Sequence, residues 1–199
     1  MDRNFKPKLS REDYGWHSRG YLPHLDGEEF AQFITFRLFD SMPQEVLDRW
    51  RKEATADSLF RLRVETYLDS GHGHCWLRDE RVAHIVQNAL LFHAGTKYDL
   101  LSWVIMPNHG HVALRPYKNV HLPGVLHSIK SFTAQEANRI LNRKGQFWQH
   151  ESFDRYIRNR RHYVAVVRYI EQNPVKAGLC RNAEDWRFGS AYYRKVNEG

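Results

Sequence analysis

Hydrophobic and polar positions along the chain change their period several times, and each change marks an element. Gln32 to Leu38 (QFITFRL) is β-branched and aromatic and predicts a strand. Val82, Ile85, Val86, Ala89 and Leu90 then recur at the three- and four-residue spacing of one buried helical face. After the turn-like AGTKYD, Leu100 to Met106 (LLSWVIM) reads as a buried strand. Met-Pro-Asn punctuates the chain before a second strand over His109 to Arg115, and strands in such close succession predict antiparallel neighbours. A second helix is written in Val125, Leu126, Ile129, Ala137, Ile140 and Leu141. Gly145 to Ile157 is aromatic-rich and holds a short strand or a structured loop. A third helix runs from about Arg161 to Gln172. Asn173-Pro174 is expected to close it, because the residue before a proline is pushed away from helical geometry.

Strands alternating with helices over a mostly antiparallel sheet make an α+β fold. Residues 1–14 are polar and basic and read as a flexible arm. Residues 15–199 form one domain, in which 42–80 read as a helix-bearing insertion that packs loosely. A chain of 199 residues, 42% apolar and 14% aromatic, can bury a core and is no disordered segment. Thirty Lys and Arg against 23 acids give a net charge of +7, with a pI near 9.5. Such a surface favours polyanions, nucleic acid first. The two cysteines, Cys75 and Cys180, build no disulfide framework. No apolar stretch is long enough for a membrane span and the N-terminus lacks a secretory pattern, so a cytoplasmic protein is expected.

His109-Gly110-His111 is the first feature with chemical content. Side chains at i and i+2 of a strand point the same way, so two imidazoles would project together as half of a metal site. In a chain with 12 histidines such a pair also arises by chance, and the spacing alone leaves metal binding open. His72, His74 and Cys75 form a rival cluster suited to zinc. It carries no strand pattern, and a loop pre-organises ligands poorly. On the third helix, Tyr163, Val166, Val167 and Ile170 mark the buried face, with Tyr169 and Asn173 one turn apart on its flank. Packed beside the histidine strand, Asn173 would complete a His-His-amide set with Tyr169 next to it. By themselves they read as a boundary tyrosine and a helix terminus. Tyr156 and Tyr163 have no such amide partner, since Arg160 and Val167 stand at their i+4 positions.

WVIMPNHGHVALRP resembles the His–hydrophobic–His segment of the HUH nucleases, and RYIEQNPVKAGL resembles the signature of REP-associated tyrosine transposases. The blocks QFITFRL, CWLRD, LHSIKSFTAQEAN, FWQHESFDRYIR and EDWRFGSA agree in order, so the resemblance spans Gly15 to Tyr192. It implies an RRM-like or ferredoxin-like antiparallel sheet backed by helices, the HUH nuclease fold. It also implies metal ligation by His109, His111 and Asn173, with Tyr169 as nucleophile. Magnesium or manganese is the implied ion. Gly110 departs from the family's bulky hydrophobic residue, and poorer packing is expected there.

The activity so implied is nicking and joining of single-stranded, hairpin-bearing DNA through a 5′-phosphotyrosine link, with no small-molecule substrate. A phenol is a poor nucleophile until activated, and a divalent ion would polarise the phosphate. Arg155, Arg158, Arg160, Arg161 and Lys130 are candidates to hold phosphates, and Trp148 or Phe153 to stack on bases. Arg19, within Trp16 to His24, is a candidate for reading sequence beside a hairpin. The alternative is a domesticated binder that grips hairpins without cutting. The resemblance implies a monomer, as REP-associated members can be, with a dimer, the state of insertion-sequence relatives, as the alternative.

Overall fold

The computed structural model describes residues 16–18, 23–25 and 30–198. A short ribbon of β1 (Trp16–Ser18) and β2 (Pro23–Leu25) precedes the main body. The main sheet has four antiparallel strands, β3 (Gln32–Arg37), β4 (Tyr98–Ile105), β5 (His109–Pro116) and β6 (Phe153–Tyr156), in the order β4-β5-β3-β6. Between β3 and β4 come α1 (Gln44–Glu53), α2 (Asp57–Asp69) and α3 (Glu80–His93). Between β5 and β6 lies α4 (Leu122–Ile140), and after β6 come α5 (Arg160–Lys176) and α6 (Ser190–Glu198). With α1 and α2 set aside, β3-α3-β4-β5-α4-β6 is the ferredoxin-like split βαβ arrangement.

Alternation along the strands divides the core into two faces. Ile34, Phe36, Ile105, Val112 and Leu114 face α3 and α4 and join Val82, Val86, Leu90 and Ile129 in the larger cluster. Phe33, Val104 and Ala113 face the other way, against Val166 and Ile170 of α5. The histidines of β5 share this second face, because His111 stands opposite Thr35 and His109 opposite Arg37.

Three expectations are corrected. The segment 42–80 is not loosely packed: Met42, Leu47, Phe60, Val64 and Leu68 bury a cluster of their own that reaches Phe153 of β6. Helix α5 does not stop before Pro174 but runs on to Lys176. Pro174 enters only in the last turn, where its missing N–H costs one hydrogen bond, and both Asn173 and Pro174 are buried. The helix ends where Ala177 N–H donates to Asn173 O and Gly178 takes a positive φ of 69°.

Nor is the strand weakened by a void at Gly110. Phe36 lies directly across from it, and a Cβ at position 110 would sit 2.5 Å from Phe36 Cζ. The phenyl ring fills the space of the missing side chain and packs edge-on to Trp148 at 5.1 Å. Gly145 to Ile157 holds both alternatives, a loop bridged to Leu38 through Trp148 and then β6.

Candidate active site and metal centre

Strand geometry aims both histidines at one point. Nε2 of His109 lies 3.0 Å from Nε2 of His111, and both side chains are fully buried. Their other nitrogens are held from behind. Asn108 Oδ1 accepts from His109 Nδ1 at 2.7 Å, while Asn108 Nδ2 donates to the His72 carbonyl at 2.9 Å. That chain fixes the amide's orientation, places the proton of His109 on Nδ1 and leaves Nε2 with a free lone pair. Thr35 Oγ1 pairs with His111 Nδ1 at 2.8 Å in the same manner. Burial holds His109 neutral, its pKa pushed down to about 3. Burial, the neighbouring His109 and the Arg155 charge keep His111 well below the ordinary histidine range. Two neutral imidazoles facing each other with their Nδ1 atoms engaged are a ligand pair.

Helix α5 brings its flank to the same point. Tyr169 Oη lies 3.5 Å from His111 Nε2, and the two rings meet at 5.3 Å. Asn173, one turn on, is fully buried beside the Asp69 carboxyl and the Tyr169 hydroxyl, yet neither its Oδ1 nor its Nδ2 makes a hydrogen bond of good geometry. A buried amide with no partner costs about 1–3 kcal/mol unless something else satisfies it.

The residue missed in the sequence is Asp69, the last of α2. Its Oδ1 lies 3.5 Å from His109 Nε2 and makes no hydrogen bond. Ligand atoms of Asp69, His109 and His111 all lie within 4.8 Å of one another, the single such group among the described residues. Burial, and then the charge of Glu65, raise the Asp69 carboxyl to about 6. Two imidazole nitrogens and a carboxylate oxygen are a donor set that suits a divalent metal ion, with the Asn173 amide beside Asp69. A local signal for Asp69 does exist, since Glu65 and Asp69 stand at i and i+4. Nothing local joins them to His109.

Tyr169 is itself perturbed. Burial and the charges of Glu65 and Asp69 drive its phenol above the ordinary tyrosine range, against the opposing pull of Arg155 and Asn173. Lys176 Nζ stands 4.9 Å from the Tyr169 ring, a second residue not singled out from the sequence.

Other predicted residues scatter. Arg155 stacks over Phe33 at 4.7 Å, which in turn packs edge-on to Tyr169, and its Nε has no partner. Arg158, Arg160 and Arg161 are exposed at the start of α5. Two candidates are corrected. Trp148 is a core residue whose indole N–H donates to Thr133 Oγ1 at 2.8 Å, so it has no free face for a base. Lys130 donates to the carbonyls of Gln149 and His150 at 2.6 and 2.8 Å, which engages the ammonium inside the protein. Phe153 is part-buried, at 6.4 Å from Phe60. Arg19 and the 1–14 arm lie outside the described residues. The zinc cluster does not gather: His74 pairs with Asp40, His72 stacks on Tyr67 and Cys75 Sγ donates to Gly71 O. The His72 carbonyl instead steadies Asn108.

The pattern of IS200-like transposases matches residues 65–173, more than half of the chain, from Glu65 to Asn173. The chain belongs to the IS200-like transposase family. The chain is 29% identical over 103 residues to the REP-associated tyrosine transposase of Escherichia coli (strain K12), which is 51% of this chain and 59% of that protein. Its fold resembles a solved REP-associated tyrosine transposase bound to a REP hairpin. That match has 18% identity and a TM-score of 0.53, over 92% of this chain and 87% of the other. No helix among the described residues of the chain is long and apolar enough to cross a membrane.

Proposed function

We propose that this transposase nicks and rejoins single-stranded DNA beside hairpins, with Tyr169 as nucleophile and His109, His111, Asp69 and Asn173 holding a divalent cation. The observation that carries the reading is the placement of the Tyr169 hydroxyl 3.5 Å from His111 Nε2, at the edge of the ligand group. A bound Mg²⁺ or Mn²⁺ would supply Lewis-acid polarisation of the scissile phosphate and orient it for in-line attack. The protein's own groups do the rest. Phe33 and the His111 ring hold the Tyr169 ring in place, edge-on at 5.8 and 5.3 Å. Arg155 offers a cation to the phosphate from β6, and Lys176 another from α5. Attack forms a 5′-phosphotyrosine bond and releases a 3′-hydroxyl, and attack by a 3′-hydroxyl reverses the step. The link conserves the phosphoester energy, so joining needs no external energy source.

Likeness to a REP-associated transposase solved with a REP hairpin supports hairpin DNA as the substrate class. The exposed arginines at the start of α5 and the net charge of +7 suit a phosphate backbone. The test is cleavage of labelled single-stranded hairpin oligonucleotides with Mg²⁺ or Mn²⁺, wild type against Tyr169→Phe. A metal-dependent covalent protein–DNA adduct, absent from the variant, is expected. Tight binding without an adduct would instead mark a hairpin-binding protein that no longer cuts. Cutting that survives Tyr169→Phe would place the nucleophile elsewhere.

A further inference from the structure

We propose that Glu65 is the proton acceptor for Tyr169, so that α2 contributes a catalytic base as well as a metal ligand. The role rests on the reading of Tyr169 as the nucleophile.

Helix α2 carries two stripes. Phe60, Val64 and Leu68 bury against the sheet, while Arg61, Glu65 and Asp69 repeat beside them at the same four-residue spacing. The polar stripe is anchored at its C-terminal end, where Asp69 Oδ1 stands 3.5 Å from His109 Nε2. One turn back, about 6 Å along the axis, is Glu65. Tyr169 is anchored by its own contact with His111, whose Nε2 is 3.0 Å from that of His109. The Tyr169 hydroxyl of α5 is a side-chain hydrogen-bond partner of the Glu65 carboxyl of α2. Glu65 also lines a small cavity of about 20 Å³ with Phe33, Thr35, Arg61 and Arg155. Two of those residues touch the site directly: Phe33 packs on the Tyr169 ring and Thr35 bonds His111.

Elimination among the groups around the phenol leads to the same residue. The Nε2 lone pair of His111 faces the ligand group. Asp69 belongs to that ligand group as well. Asn173 has no basic atom, and Arg155 and Lys176 already carry protons. Glu65 is left as a carboxylate that faces the hydroxyl and belongs to no ligand set. The groups facing it are Arg61 and Asp69 on its own helix, Arg155 on β6, and Tyr169 and Lys176 on α5. Burial raises its carboxyl above the ordinary glutamate range, while Arg155, the Tyr169 hydroxyl, Arg61 and Lys176 oppose that rise. A carboxylate so poised is a better proton acceptor than one in water.

In the forward step the Oη–H proton of Tyr169 passes to a Glu65 carboxylate oxygen as the Oη–P bond forms. The P–O3′ bond breaks with its electron pair on the 3′ oxygen, which takes a proton from solvent water. In rejoining, a 3′-hydroxyl attacks phosphorus and releases its proton to solvent, and the Glu65 carboxylic acid returns its proton to the departing Tyr169 oxygen.

The experiment is single-turnover adduct formation by the full chain on labelled single-stranded hairpin oligonucleotides at saturating Mn²⁺, across pH, for wild type, Glu65→Gln and Glu65→Asp. Mn²⁺ affinity, oligonucleotide affinity and thermal melting are measured alongside. Wild-type rate should rise with pH to a plateau. Glu65→Gln should lose about 10²–10⁴-fold in rate and the rising limb with it, at unchanged Mn²⁺ and DNA affinity. Glu65→Asp should keep the limb at a reduced rate. Full rate in Glu65→Gln, retention of the wild-type limb, or a loss matched by lost Mn²⁺ affinity would each overturn the role. A wild type that forms no adduct overturns the nucleophile assignment itself. A wild type that reacts while Glu65→Gln reacts equally well overturns only the acceptor.

Discussion

Asp69 Oδ1 stands 3.5 Å from Nε2 of His109, joining the end of an inserted helix to the second strand of the central hairpin. The insertion therefore forms part of the wall around the histidine pair. Its carboxylate is raised to about 6 by burial and by Glu65, so at neutral pH the ionised form carries a folding penalty. That penalty is full above about 6 and fades as pH falls toward the unfolded value of 3.8.

Asp69→Asn should accordingly raise the melting temperature of the metal-free protein at neutral pH, because it removes the charge at nearly the same volume. The further rise produced by Mn²⁺ should shrink, since a ligand that binds only the folded state stabilises in proportion to its affinity. Thermal melts with and without Mn²⁺ measure both. A variant with an undiminished Mn²⁺ response would remove Asp69 from the ligand set.

Thr35 should matter without touching the ion. Its hydroxyl pairs with His111 Nδ1 at 2.8 Å and holds the ring so that Nε2 faces the site. Thr35→Val keeps the shape and loses that bond. Mn²⁺ affinity, followed by titration, is expected to fall about 10–100-fold with little change in hairpin affinity. Unchanged affinity would mean that packing alone sets the ring.

Phe36 and Gly110 should behave as one unit. Gly110→Val drives a methyl into the Phe36 ring and should cost about 1–3 kcal/mol. Phe36→Ala empties the space beside Trp148 and should cost about 3–5 kcal/mol. The double variant should cost clearly less than the two single costs together, because the valine fills what the phenylalanine leaves. Additive losses in urea denaturation would contradict the fit.

Lys130 gives a prediction at alkaline pH. Burial lowers its ammonium from 10.5 to about 8, helped by Arg37 and opposed by Glu151. Between these values the unfolded chain binds more protons than the folded one, so this residue's contribution to stability rises with pH. The difference in unfolding free energy between wild type and Lys130→Met should therefore widen from about pH 7.5 to about pH 10. Near neutrality the variant should already be about 1–3 kcal/mol less stable, since the Gln149 and His150 carbonyls lose their donor. Denaturation of both proteins at the two pH values decides it.

Much of the framework was legible in local pattern. Val82, Val86 and Leu90 line the sheet-facing side of α3 as their spacing requires, and the one-residue gap in His109-Gly110-His111 puts both imidazoles on one face. Tyr169 and Asn173 share a helix flank for the same reason of period. Pro174 misled because a proline in a final turn forgoes a single hydrogen bond, which packing of Asn173 and Pro174 can offset. Trp148 and Lys130 misled because the residue types that bind nucleic acid also build cores and clamp loops, and burial alone separates the two uses.

The sequence by itself determined the strands and helices, the α+β class, the convergence of the histidine pair and the pairing of Tyr169 with Asn173, since each is set by the 2.0- or 3.6-residue repeat of a single element. Only the tertiary structure decided that α2 folds back over the histidine face, that Asp69 comes within 3.5 Å of His109, and that Phe36 replaces the side chain Gly110 lacks. Those relations lie between elements distant in the chain. Closure of the two cores creates them, and no local periodicity encodes where two buried faces will meet.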